Sequence, residues 1–206
     1  MKKLIVAITA LSLSLLLLSG CAVTPPAATP TPAASAAPTA EPEVSAAPAA
    51  SEAERTSFGK FTTTDLNGNE VTEAMFADYD LTMINIWATF CGPCINEMPH
   101  LGELAAEYKE KGVQIVGIVV DVMDQTGAIS SSQVDLAKEI VQQTGANYTH
   151  LLPSDDLIQI KLRYVSAVPE TVFVDKNGDI VGNSIVGSRS KDNWKSVIDN
   201  YLEEVK

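Results

Sequence analysis

Two cysteines, Cys91 and Cys94, stand with only Gly92 and Pro93 between them. A thiol pair at that spacing closes a small disulfide when a tight turn holds it. A dithiol that opens and closes in this way exchanges with disulfides in other proteins. The attacking form is the thiolate, so one member of the pair needs surroundings that favour negative charge. The first turn of a helix provides them, through backbone N–H groups without intrahelical partners and the positive end of the helix dipole. Residues 81–88, Leu-Thr-Met-Ile-Asn-Ile-Trp-Ala, form a nearly continuous apolar run of the kind found in a buried central strand. Residues 92–111 carry Ile95, Met98, Leu101, Leu104, Ala105 and Tyr108 at three- and four-residue spacing and suit a helix. Pro99 is expected to kink it. The pair therefore lies where a buried strand passes into a helix. Cys91 is expected to be the more exposed and more acidic thiol and to attack. Cys94, one turn deeper, is expected to resolve the mixed disulfide.

The elements that must hold this junction follow along the chain. Residues 58–64 read as an opening strand, 65–69 as a turn and 70–79 as a short helix. Residues 113–120 form a second buried strand, 121–132 a polar loop, 133–144 a helix, 149–152 a short strand and 155–163 a short helix. Residues 171–174 and 180–186 flank Lys176-Asn-Gly-Asp179, a strong hairpin turn, and 191–204 form a closing helix. This order predicts an α/β domain with a central mixed sheet and helices on both faces.

Composition narrows the chemistry. The 206 residues carry a formal charge of −12, and residues 56–206 hold 22 Asp and Glu against 11 Lys and Arg. Such a surface has no positive footprint for phosphates, which argues against a nucleic-acid partner. Only three cysteines occur, Cys21, Cys91 and Cys94, so there is no disulfide framework. A structural zinc needs four ligands. Here one Cys pair and two histidines without regular spacing, His100 and His150, are a poor set, and no metal or other cofactor is expected. A purely structural disulfide would hardly need a Gly-Pro turn at a helix start.

The N-terminal quarter has a different character. Met1-Lys-Lys is basic, residues 4–18 are mostly apolar and uncharged, and small residues follow, which is the pattern of an export signal. Residues 22–50 contain 12 Ala and 7 Pro and no aromatic residue, so they offer little to bury. They read as a tether of up to roughly 100 Å if extended. The expected division is residues 1–20 as signal peptide, 21–57 as tether and 58–206 as the folded domain.

Leu18-Ser19-Gly20-Cys21 resembles the lipobox of bacterial lipoproteins, which implies that Cys21 becomes a lipidated first residue and leaves one free thiol pair. Residues 84–99, Ile-Asn-Ile-Trp-Ala-Thr-Phe-Cys-Gly-Pro-Cys-Ile-Asn-Glu-Met-Pro, and 168–175, Val-Pro-Glu-Thr-Val-Phe-Val-Asp, resemble the thioredoxin fold, and more closely the exported TlpA/ResA/CcmG-like proteins. The resemblance covers about residues 58–206. It implies a thioredoxin-like fold with extra N-terminal strands and an inserted strand–helix unit within 113–150. It further implies an extracytoplasmic, membrane-anchored enzyme that reduces protein disulfides, with Cys91 as nucleophile and Cys94 as resolving thiol. Glu97 matches a family acid, and its place three residues after Cys94 puts both on one helix face. A partly buried carboxylate there could take the proton of the resolving thiol. Pro169 matches the family's cis-proline facing the disulfide, which would free the backbone of Val168 to pair with an extended substrate segment. Asn85 stands where cytoplasmic thioredoxins keep a buried Asp. Phe90, where the family usually has Trp, with Gly92 and Pro93, is expected to line the substrate surface. Glu170 is read either as a charge that selects partners or as a solvated side chain.

The implied partners are oxidised exported proteins, with apocytochrome c and methionine sulfoxide reductase as candidates, and a membrane thiol donor that recharges the pair. Three other functions fit parts of the pattern. A disulfide-forming oxidase would use the same pair at a higher potential. A peroxiredoxin-type peroxidase would need an arginine near Cys91, for which only Arg163 and Arg189 are available through folding. A surface-tethered binding module would carry the disulfide inertly.

Overall fold

The structure is a computed structural model that describes residues 56–206. The export signal, Cys21 and the Ala/Pro tether lie outside the described residues. The described chain begins in contact with the domain: Ile180 N–H donates to the Thr56 carbonyl at 2.9 Å and Phe58 N–H to the Gly178 carbonyl at 2.8 Å. Pairing thus starts two residues before the expected boundary at 58.

A two-stranded antiparallel ribbon opens the fold, β1 (Thr62–Thr64) against β2 (Glu70–Thr72), joined through the Asp65 turn. The expected helix over 70–79 is replaced by β2 and a single 3-10 turn, Glu73–Phe76. Thr63 pairs with Val71, and the Thr72 hydroxyl caps the turn by accepting from Ala74 N–H, so the β-branched residues go to the ribbon. The expected strand over 58–64 shrinks to three residues. Phe58 and Phe61 instead turn inward and meet Phe76 edge-on, with centroids 5.9 Å from it.

The main sheet has five strands in the order β5-β4-β3-β6-β7: β3 (Leu81–Trp87), β4 (Val113–Val119), β5 (Thr149–Leu151), β6 (Glu170–Asp175) and β7 (Ile180–Val186). β3 is central and buried along its whole length, as its apolar run requires. It runs parallel to β4 and antiparallel to β6. Its alternate side chains divide the core. Met83 and Trp87 face α1 (Gly92–Tyr108) and its neighbours α2 (Ser131–Thr144) and α4 (Lys191–Val205). Ile84 and Ile86 face the three phenylalanines and Leu157 of α3 (Asp155–Ile160). Within residues 113–150 the chain forms β4 and then α2, the strand–helix unit expected there, before entering β5. Helix α1 runs through Pro99, and the expected span of 92–111 closes in a 3-10 turn at Lys109–Lys111.

One glycine decides how the sheet receives its buried histidine. His150 on β5 sits beside Gly117 of β4 in register. A Cβ on Gly117 would fall 2.2 Å from His150 Nδ1. The missing side chain lets the imidazole cross β4 and accept from Trp87 Nε1 at 3.1 Å. Its Nε2 then donates to the Ala146 carbonyl at 3.0 Å, which fixes the neutral tautomer.

Candidate active site

The carboxyl ends of the parallel strands β3 and β4 come together at one edge of the sheet. Cys91 lies four residues after β3 and is the N-cap of α1; its sulfur accepts from Cys94 N–H at 3.2 Å. Pro93 occupies the first turn, where a missing N–H leaves nothing unsatisfied. Cys91 and Cys94 are joined as a disulfide, with Cα atoms 5.3 Å apart. The redox group of the protein is this pair of its own side chains.

The order of exposure agrees with the sequence, but the amount is smaller than expected. Cys91 is 5% exposed and Cys94 is 0% exposed. Disulfide formation covers one side of each sulfur, and an incoming thiol needs only a narrow approach to one of them. Phe90, 77% exposed, rises beside that window, and Gly92 and Pro93 are exposed with it. Val168 packs against the same cluster as both cysteines and Trp87. The Val168–Pro169 bond is cis. The Pro169 carbonyl accepts from Gly187 N–H at 2.8 Å, while no backbone hydrogen bond engages Val168 among the described residues.

Glu97 is buried at 2% exposure, not solvated. Its Oε1 accepts from Asn85 Nδ2 at 3.1 Å, and its Oε2 accepts from Arg189 N–H at 3.0 Å and Trp194 Nε1 at 3.1 Å. Burial pushes the carboxyl above its ordinary range, and these N–H donors pull it partly back. Asn85 also donates to Thr171 Oγ1 at 3.2 Å, and its own Oδ1 has no partner among the described residues.

Glu170 corrects both expectations made for it. It is 3% exposed and presents no charge to a partner. Its Oε1 takes Lys161 Nζ at 2.5 Å and the Ser184 hydroxyl as a second donor. The physical reason is its register opposite Ile86, which places its side chain on the covered α3 face. His100 is exposed on α1, and His150 is held in the core as described. Arg163 bonds Gln159, and Arg189 lies over the Trp194 ring with its guanidinium 5.7 Å from the centroid.

Several residues at the site had no local sequence signal. Asp121 grips Thr89, two residues before Cys91, through the Thr89 N–H at 3.0 Å to each oxygen and the Thr89 hydroxyl at 2.6 Å. Its place just after a parallel strand that ends beside β3 was the available clue. Lys161, Ser184, Arg189 and Trp194 reach the site only through the fold.

The sequence pattern of the AhpC/TSA family matches residues 55–182. The thiol-disulfide oxidoreductase ResA of Bacillus anthracis is 30% identical over 159 residues, covering 75% of this chain and 82% of ResA. The ResA of Geobacillus kaustophilus is 30% identical over 149 residues, 71% of this chain and 74% of its own. The chain belongs to the AhpC/TSA family, among its ResA-like thiol–disulfide oxidoreductases. The fold agrees. A thiol:disulfide interchange protein of Chlorobium tepidum, 22% identical, superimposes with a TM-score of 0.60 over 72% of this chain and 97% of that one. This ResA relative is therefore a thioredoxin-like enzyme that acts on protein disulfides through Cys91 and Cys94.

Proposed function

We propose that the protein is an extracytoplasmic, lipid-anchored reductase of protein disulfides in which Cys91 attacks and Cys94 resolves. The observation that carries the assignment of roles is the placing of Cys91 at the N-cap of α1, more exposed than Cys94. The Cys91 thiolate attacks a client disulfide, one client sulfur leaves, and a mixed disulfide forms. Cys94 gives its proton to Glu97 and attacks the Cys91 sulfur. The Cys91–Cys94 bond forms as the client thiol departs, so the client gains two electrons and the pair is oxidised. A membrane dithiol then restores the pair. Cys91 and Glu97 are each set against neighbouring N–H donors, one at the α1 terminus and the other ahead of α4.

The rim of Phe90, Gly92, Pro93 and Val168, with Pro169 behind it, receives the client. An extended client segment pairs with the Val168 backbone, and Phe90 supplies apolar contact. The Gly-Pro dipeptide and the ResA relatives favour the reducing direction, with exported proteins such as apocytochrome c or methionine sulfoxide reductase as clients. The domain is proposed to begin at about residue 58, behind a tether of residues 21–57 that starts at lipidated Cys21. Among the described residues no helix is long and apolar enough to cross a membrane. The anchor is assigned to Cys21 because Leu18-Ser19-Gly20-Cys21 resembles a lipobox, and two or more acyl chains hold a protein firmly.

Alkylation of the reduced protein against pH tests the thiol roles. Cys91 is expected to react as a thiolate well below the ~8.5 of a free thiol, with Cys94 slow throughout. Equal reactivity of the two would overturn the assignment. Labelled fatty acid is expected on the wild type and not on Cys21→Ser, and incorporation into Cys21→Ser would overturn the anchor.

A further inference from the structure

The Glu97 carboxylate is held from a part of the chain that carries no redox residue. Two of its three hydrogen bonds come from α4 and the segment leading into it: the Trp194 indole N–H and the Arg189 backbone N–H, both on Oε2. Trp194 is completely buried and packs among Leu101, Leu104 and Phe173, so its ring cannot turn away from α1 without opening that core. Ser190 caps α4 by accepting from Asn193 N–H, which fixes the backbone that presents Arg189 N–H. The third bond, from Asn85, reaches the other carboxylate oxygen. Such a set fixes the orientation of Glu97 as well as its charge.

We propose that Trp194 is a positioning residue for the resolving step: its indole N–H holds Glu97 as the acceptor of the Cys94 proton, so that α4 sets the rate at which Cys94 releases a client. The inference rests on the proton-acceptor role given to Glu97 above. The groups that face Glu97 are few. On α1, Cys94 stands three residues before Glu97 on the same helix face, with Cys91 at the N-cap beyond it. From the segment leading into α4 it is the Arg189 guanidinium, and from the loop between α2 and β5 it is Tyr148, whose buried hydroxyl has no partner among the described residues and is itself raised by burial and by Glu97. β3 and β6 offer only the uncharged Asn85 and Thr171. Without the indole donor the carboxylate keeps its burial and loses one of three donors. It then holds a proton to higher pH, and two donors instead of three fix its orientation.

The step to measure is release of a client from a preformed mixed disulfide on Cys91 of the full chain, followed from pH 5 to 9. Trp194→Phe keeps the ring and removes the N–H. It is expected to slow release about tenfold at pH 7, the order expected for loss of a hydrogen bond to a charged group. It should also move the midpoint of the profile upward, with the rate of client capture by Cys91 unchanged. In a Glu97→Gln background the same substitution should have no further effect on the profile, whereas a packing defect would persist there. In the wild type, the Trp194 indole ¹H–¹⁵N signal should titrate with the midpoint of the release profile. That measurement stands even if Trp194→Phe does not fold. If Glu97→Gln shifts the profile and Trp194→Phe does not, or the indole signal is flat, the inference about Trp194 is wrong. If Glu97→Gln leaves the profile unchanged, the acceptor role of Glu97 itself is wrong.

Discussion

Two glutamates sit beside the redox pair in sequence or space, both buried, and the fold treats them differently. Glu97 follows Cys94 by three residues and is held by three N–H donors from uncharged amide and indole groups. Glu170 follows Pro169 by one residue and is held by the Lys161 ammonium and the Ser184 hydroxyl. A carboxylate among neutral donors can change its protonation without leaving a bare countercharge. A carboxylate locked to a buried ammonium cannot do so without exposing the lysine to an apolar interior. Nearness to the site is thus a poor guide to role. The partner decides, and it separates a carboxylate that can change its protonation, as the proposed acceptor must, from a brace under the Pro169 loop.

The largest effect expected from this difference is on stability. Lys161→Met leaves Glu170 buried without its ammonium and is expected to cost about 3–5 kcal/mol in urea unfolding. Glu97→Gln removes no buried countercharge and should cost far less. If the lysine substitution costs under about 1 kcal/mol, Glu170 is not a brace and the contrast fails.

The next effect is in the pH dependence. His150 is held neutral: burial lowers it from 6.5 to about 4, in keeping with its acceptance of the Trp87 N–H. The unfolded chain therefore binds the proton more readily between pH 6.5 and 4. Stability is present above 6.5 and about 3 kcal/mol is lost as pH falls through 4. Glu97 has the opposite sign. Its folded value lies above the ordinary 4.5, so the native state binds the extra proton, and its contribution is lost as pH rises from 4.5 through the folded value. Urea midpoints between pH 4 and 7 should rise with pH less steeply in the wild type than in Glu97→Gln. Equal slopes in the two proteins would mean that Glu97 is not raised.

The smallest stability effect is expected at the rim. Phe90 is 77% exposed, and Phe90→Ala should change stability by no more than about 0.5 kcal/mol. The KM for protein disulfides should rise while small disulfides are reduced as before. An equal loss with both would place the role of Phe90 in the chemistry and not in client contact.

Local signals made most of the fold legible. The apolar run at 81–87, the helical spacing after Cys94 and the Asn-Gly turn at 177–178 each state their structure within a few residues. The segment at 70–79 did not, because Val71 and Thr72 are claimed by a partner strand that is visible only after folding. The site divides along the same line. The cysteines are carried by a short motif, and Phe90, Glu97 and Pro169 by the resemblance to the TlpA/ResA/CcmG-like proteins. Two of the three donors to Glu97 lie 92 and 97 residues away, and Trp194 in an amphipathic helix reads simply as core. Glu170 misled because an acid next to a substrate-facing proline looks exposed, while β6 register turns it toward α3. Lys161, its counterion, gives no sign in a short polar helix that it will be buried.

Trapping tests the division of labour between the two sulfurs most directly. The full-chain Cys94→Ser variant, reduced and mixed with a disulfide-bonded protein client, is expected to accumulate a stable adduct that peptide mass spectrometry places on Cys91. Cys91→Ser under the same conditions should yield little or none, since Cys94 is fully buried. Adducts formed on Cys94 at a comparable rate, or none on Cys91, would contradict the roles assigned here.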